Sequence, residues 1–214
     1  MVDFRHIGFL VATLCALPAV GVERMLKVDV VLLAMDEAVW QQDFQAGKMT
    51  AGEIHAKAIA LSATGKISMP VAATLRTPES QQAKWQQGKD ITFHAGWEKD
   101  REHPGKVVEF EEKTQFVGTT LTAECGNDPF HLELSLRHTT LAEQSTKHVY
   151  DTQAEGIQRL ERAVATPVFD TLQWQGTTLI KAGEWTRAAS ILQTAQEPGA
   201  TPRRWIILIR GGDA

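Results

Sequence analysis

The chain has 214 residues, with 22 Lys+Arg against 26 Asp+Glu for a formal charge of −4, and 43% of it is apolar. A chain this long and this apolar, without a block of like charge, can bury a core and is not disordered. Its mildly acidic balance offers no general attraction for nucleic acid. Two cysteines, Cys15 and Cys125, are too few for a disulfide framework or a multi-thiolate metal site.

The first residues read as a targeting segment. Val2 to His6 carry one arginine, Ile7 to Val20 are uncharged and apolar, and Ala19-Val20-Gly21 sets small residues where signal peptidase accepts them. The expectation is a signal peptide over 1–21, cleaved after Gly21, and one domain over 22–214. An apolar stretch this short does not comfortably span a bilayer as a helix. Cleavage would remove Cys15 and leave Cys125 alone, and a lone thiol in an oxidising compartment is most often buried and inert.

Lys27 to Met35 is short and rich in valine and leucine, which predicts a buried strand. Thr50-Ala51-Gly52-Glu53 has the spacing of a capping box, so a helix is predicted from there to before Gly65, with Ile54, Ala58 and Leu61 on one face. Lys66–Met69, Val71–Leu75, Gln82–Gln86 and Asp90–Ala95 are predicted as separate strands, with Pro70 at a strand edge or a break in the ladder. The charged run from Gly96 to Lys106 predicts a hairpin tip, Val107–Cys125 a long strand interrupted at Gly118, and Gly126-Asn127-Asp128-Pro129 a turn.

Phe130 to His138 alternates apolar and polar residues strictly, which predicts a half-buried antiparallel strand. The polar stretch 139–165, with Ile157, Leu160 and Val164 at helical spacing, predicts a helical insertion or linker. A hairpin is predicted around Gln175-Gly176, an irregular loop or short helix over Glu184–Arg203, and a last strand over Trp205–Ile209. The fold class is therefore mainly β: antiparallel sheets, sandwich-like or curved, with one or two short packed helices.

Signatures of chemistry are missing. His131 and His138 lie an odd seven residues apart on one predicted strand and so face opposite ways, and no other histidine pair is closer than nine. Glu109 and Glu111 alternate with Phe110 as a solvated face does. No nucleophile elbow, phosphate-binding loop or dinucleotide fingerprint occurs. No catalytic residue, metal ligand or cofactor is assigned. Of the six tryptophans, Trp85, Trp97, Trp174, Trp185 and Trp205 could either line a ligand groove or pack as core.

Several ordered motifs resemble the secretin homology domain of bacterial type II and type III secretion systems. They are Leu61 to Pro70 with Thr74; Ala83 to Gly88 with Ile91; Val117-Gly118 to Thr122 followed by Phe130–Leu136; Gly176 to Gly183; and Arg204–Ile209. The family-motif positions are Pro70, Thr74, Ala83, Gly88, Gly118, Gly176 and Gly183, and the resemblance runs from about 25 to 210. Departures matter too. Only Asp36–Met49 lies between the first strand and the helix, less than two bilayer-crossing hairpins need at ~10 residues per strand. Ala182 stands where the family has glycine, and Gly211 where it has Thr-Pro.

The resemblance implies a truncated, stand-alone secretin-like domain lacking the pore strands. It would be a non-enzymatic protein exported to the periplasm or outer membrane of a Gram-negative-type bacterium, active in secretion or pilus assembly. Its partners would be envelope proteins or further copies joined through strand edges, with peripheral outer-membrane association and no nucleic acid. A periplasmic ligand-binding β-sandwich and an envelope hydrolase are the competing readings.

Overall fold

The structure is a computed structural model that describes residues 24–44, 48–99, 107–125, 131–152, 159–194 and 201–213. The signal-peptide segment, the turn at 126–129 and most of the predicted 96–106 tip lie outside the described residues. Among those described, eight strands and two short helices follow one another as β1 (Met25–Asp36), α1 (Glu37–Asp43), α2 (Ala51–Ser62), β2 (Ile67–Pro78), β3 (Gln82–Lys99), β4 (Val107–Cys125), β5 (His131–Thr152), β6 (Arg159–Leu179), β7 (Trp185–Gln193) and β8 (Arg203–Asp213).

The strands form two antiparallel sheets, ordered β2-β1-β8-β7 and β3-β4-β5-β6. The first sheet is the middle layer. Its β1 sends Val28, Val30, Leu32 and Ala34 into the core between the sheets, and Val31, Leu33 and Met35 into a second core beneath the helices. β8 divides likewise, with Trp205, Ile207 and Ile209 on one side and Ile206 and Leu208 on the other. Where a strand is covered on both faces it has no position for a polar side chain, which is why Val30–Met35 of β1 and Trp205–Ile209 of β8 read as unbroken apolar runs, with Lys27, Asp29 and Arg210 outside them. From the second sheet, Leu132, Leu134 and Leu136 of β5 and Leu121 and Ala123 of β4 close the inter-sheet core. Their exposed neighbours Glu133 and Arg137 confirm the predicted alternation.

The capping box forms as predicted: the Thr50 hydroxyl accepts from the Glu53 amide while the Glu53 carboxylate accepts from the Thr50 amide at 2.7 Å. Ile54 and Ala58 are buried on the sheet. α1 is tied down differently. Glu37 accepts two hydrogen bonds from the Arg204 guanidinium, at 2.5 and 2.9 Å, and Arg204 lies over the Trp40 ring.

Four expectations are corrected. The predicted pairs of short strands are two continuous strands: β2 runs through Pro70 and β3 through Gly88. Pro70 is accommodated because β2 is an edge strand and its ladder with β1 shifts register between Leu32 and Ala34, opposite that proline. The stretch 139–165 is no helix where it is described, since β5 and β6 run through it, with 146–152 paired to 159–165 and the residues before 146 paired to 166–171. The polar composition gave no period-two signal, because the hydrogen bonds that make this stretch strand come from a partner strand. Gln175-Gly176 is not a hairpin either, because β6 passes straight through it, with the Trp174 ring lying where a Cβ on Gly176 would sit, 2.7 Å away. Lastly, 184–203 contains β7, which pairs with β8 from Trp185 to Gln193 with one shift after Arg187.

Candidate assembly edges

Site chemistry is sparse in this framework. Among the described residues no three of His, Cys, Asp and Glu come together as a metal site. Cys125 is free and buried, and burial, with the nearby Glu79 charge, pushes its thiol above the usual range, so it is a poor nucleophile. A cavity of about 60 Å³, bordered by Arg24, Leu26, Ile180 and Asp213, holds no tryptophan in its lining. Ligand pockets run to several hundred Å³. The tryptophans disperse as well: Trp205 is in the inter-sheet core, Trp85 and Trp174 pack against it, Trp40 stacks on Phe44, and Trp185 stacks on His55 at 4.1 Å. They pack as core or surface bulk and line no common groove; the side chain of Trp97 lies outside the described residues.

What the structure does present is open sheet edges. No described strand pairs with the outer side of β2 or β7 in one sheet, or of β3 or β6 in the other. Large apolar side chains stand exposed on two of these edge strands: Leu192 on β7 at 46%, and Val168 and Leu179 on β6 at 45% and 62%. An uncovered edge with apolar side chains is a template for pairing with another chain.

The motif positions cluster around the strands that frame these edges. Thr74, on β2, donates to Asp29 at 2.7 Å, and Asp29 also accepts from Arg210 at 2.7 and 3.1 Å. Burial opposes ionisation of Asp29, yet those hydrogen bonds and the charges of Lys27 and Arg210 outweigh it and hold the carboxyl below its ordinary value. Arg210 in turn lies over Trp185, so the network ties β2, β1, β8 and β7 together across the whole sheet. Ala83 pairs with Ala123 and packs against the inter-sheet core. Gly183 has φ +77° in the turn before β7, its amide donating to Gly211 at 2.7 Å.

Gly88 and Gly118 face each other in the β3–β4 ladder, with φ of +159° and +145°. A Cβ on either would lie 2.2–2.3 Å from a carbonyl oxygen of the opposite strand. At this level the second sheet changes character. β3 and β4 stay paired to Lys99 and Val107, and β5 and β6 to Thr152 and Arg159, but β4 and β5 pair only from Gly118–Thr139 to Cys125–Leu132. Beyond that point the sheet continues as two separate hairpins. His138 sits at the junction, buried, with its Nδ1 2.7 Å from the Thr119 hydroxyl and its ring against Trp205. Burial keeps this imidazole below its ordinary value. The resemblance drew attention to Thr74 and the glycines; the Asp29–Arg210 pair and the His138–Thr119 pair carried no such signal, since their partners are remote in sequence.

The four strands of this sheet hold 18, 19, 22 and 21 residues. At about 3.4 Å per residue β5 is some 75 Å long, roughly twice the ~10 residues that a bilayer-crossing strand needs. The expectation of missing pore strands rested on the 36–49 spacing, where β1 ends at Asp36 and the described residues after it form α1 and no further strand.

No family model matches the chain, and no curated protein matches it. Among solved structures it is similar to Aeromonas hydrophila ExeD, at 14% identity and a TM-score of 0.46, over 90% of this chain and 49% of that one. It is also similar to the Vibrio cholerae type IV competence pilus secretin PilQ, at 12% identity and a TM-score of 0.38, over 89% and 57%. A third is in the Klebsiella pneumoniae type II secretion outer-membrane complex of PulD, PulS and the PulC HR domain, at 10% identity and a TM-score of 0.36, over 88% and 38%. The chain thus spans about half the length of ExeD.

Proposed function

We propose that this chain is a non-enzymatic, secretin-like envelope protein that works by assembling side by side with copies of itself, in protein secretion or pilus assembly. One observation carries the reading: both sheets have four antiparallel strands and two open edges. An even number of antiparallel strands leaves the two edges running in opposite directions. The β6 edge of one copy can therefore accept the β3 edge of the next as a further antiparallel pair, and β7 can accept β2 in the same way. Head-to-tail contacts of this kind close into rings when the rotation per copy permits. The order of the secretin-like motifs, most of which fall on these sheets, supports the same conclusion.

The rest follows as part of the proposal. A signal peptide over 1–21 directs export, the assembled protein resides in the periplasm or outer membrane, and other envelope proteins are its partners. The 36–49 spacing implies a form lacking the pore hairpins expected there, and the long strands β3–β6 are the part of the chain that would carry the contacts between copies. No observation favours the ligand-binding or hydrolase readings: the described indoles line no common groove, and among the described residues no three of His, Cys, Asp and Glu gather as a metal site.

Light scattering on the exported protein, in buffer and in mild detergent, tests this. A large assembly of defined mass in detergent is expected. A protein that stays monomeric in both solvents would sink the reading.

A further inference from the structure

The two helices cover only part of the outer face of the middle sheet. They stand over Val31, Leu33, Met35, Ile206 and Leu208, and α2 reaches as far as Trp185, on whose indole the His55 ring stacks. The same face continues past that row. Lys27 and Asp29 alternate with the core residues Leu26, Val28 and Val30, Thr74 and Arg76 with Ala73 and Leu75, and Arg210 follows Ile209, so all five point to the helix side of the sheet. No described element covers them: Thr74 and Arg76 are exposed, and Lys27 and Arg210 are half-buried.

Three cations share this open face with one carboxylate, on a chain whose formal charge is −4. Lys27 stands directly opposite Arg76 in the β1–β2 ladder. Like charges so placed repel and destabilise a sheet. On the other side Lys27 faces Gly212 of β8, which makes Arg210 its diagonal neighbour, so both arginines stand within about 8 Å of it. Asp29 offsets part of the charge: it accepts from Thr74 and from Arg210, each at 2.7 Å, and pairs with Lys27 at 3.5 Å. Arg76 has no ion-pair partner among the described residues. Gly212 adds no side chain beside Lys27, and a Cβ there would meet nothing within 4 Å. The result is a step, with α2, about 10 Å thick, rising on one side and bare backbone at its floor.

Like charges set side by side, with nothing in the described fold to relieve Arg76, break a local rule of sheet stability, and such breaks are found where a surface serves a ligand. We propose that this step binds an extended acidic segment of a partner protein. Side chains on one face of an extended chain recur about every 7 Å, which matches the spacing of about 7–8 Å from Lys27 to its diagonal neighbour Arg210. A Glu-x-Glu segment therefore sets one carboxylate against Lys27 and Arg76 and the next against Arg210. A bilayer is the poorer fit, because the helix beside the strip holds a plane of headgroups about one helix diameter away from the cations. The surface faces out from the sheet and not along its edges. It goes beyond the self-association reading and stands without it.

Fluorescence anisotropy on the exported protein tests this, with a fluorescein-labelled octapeptide of alternating glutamate and threonine as the probe and the same peptide with glutamine for glutamate as the control. The glutamate peptide should bind at about 50 mM salt and be released at about 0.5 M, where exposed charges are screened. The control should not bind. Lys27→Gln with Arg76→Gln should weaken binding roughly fivefold or more. Because it relieves the repulsion, this double variant should unfold at the parent's temperature or above it. Gly212→Val leaves every charge in place and raises the floor, and should weaken binding at least threefold. No binding of the glutamate peptide at low salt overturns the proposal, as does equal affinity for the glutamine peptide or binding by either variant within twofold of the parent. A lower unfolding temperature in the double variant overturns it too, since the cations would then serve the fold. If the parent binds phosphatidylglycerol vesicles and not the peptide, the strip faces lipid and the proposal fails. Light scattering on the same samples reads assembly separately: peptide binding by a chain that stays monomeric sinks self-association and supports this surface.

Discussion

Gly118 and Gly52 show how differently one residue type is used in this chain. A Cβ on Gly118 would sit 2.2 Å from the Gln87 carbonyl oxygen and force a backbone shift, whereas nothing lies within 4 Å of the same atom on Gly52 in the first turn of α2. Gly118→Ala should therefore destabilise the fold by roughly 3 kcal/mol or more, and Gly52→Ala should stabilise it by about 0.5–1 kcal/mol; thermal unfolding followed by circular dichroism separates the two signs. His138 sets a pH dependence. Its native imidazole is held neutral by burial, while the unfolded chain takes up a proton near the ordinary value of 6.5. Its stabilising contribution is complete above pH 6.5 and is lost as the pH falls from there towards the lower native value. His55, also lowered by burial first and by Arg210 second, acts in the same direction. His138→Gln keeps a partner for Thr119 and should flatten the acid side of a urea-midpoint profile just below pH 6.5, leaving only the His55 part there. An unchanged slope would show that His138 does not titrate in this way.

At the level of elements, the ends of α1 and β8 are joined by one charge-assisted contact. Arg204 holds Glu37 by a bidentate hydrogen bond that keeps the carboxyl below its ordinary range, and both side chains are about four-fifths buried. Glu37→Gln should cost about 1–2 kcal/mol at neutral pH, and the difference from the parent should shrink as the pH drops below 4.5 and Glu37 itself protonates. Chemical denaturation at two pH values measures it. The elements most legible in the sequence were those whose pattern comes from local physics. The capping box at Thr50 and Glu53, the apolar run of β1 and the alternation of β5 up to His138 each follow from neighbours in the chain. Residues 139–152 and 159–165 were not legible as strands, because the hydrogen bonds that make them strand come from partner strands and not from neighbours in the chain. The path of β3 through Gly88 was obscured for a related reason: glycine reads as a break, and only the facing Gly118 shows that it serves a close approach of two backbones.

For the molecule as a whole, the two cores and the open edges predict how stability is distributed. β1 and β8 are covered on both faces and paired on both sides, so their amides should exchange slowest, near the global unfolding limit. The edge strands β2 and β7, and β3 beyond Gly88, should exchange orders of magnitude faster in the lone protomer and become protected on assembly. Hydrogen exchange read by mass spectrometry before and after detergent-induced assembly checks this, and protection confined to the helices would contradict edge pairing. The amino-acid sequence by itself determined the mainly β class, the capped helix, the central strands and the absence of recognisable catalytic motifs, because these depend on local capping, side-chain periodicity and composition. The tertiary structure decided the rest. Which strands lie in the middle, which edges stay open and where β4 and β5 part company all depend on contacts between residues far apart in the chain, and the pattern along any single segment is indifferent to those.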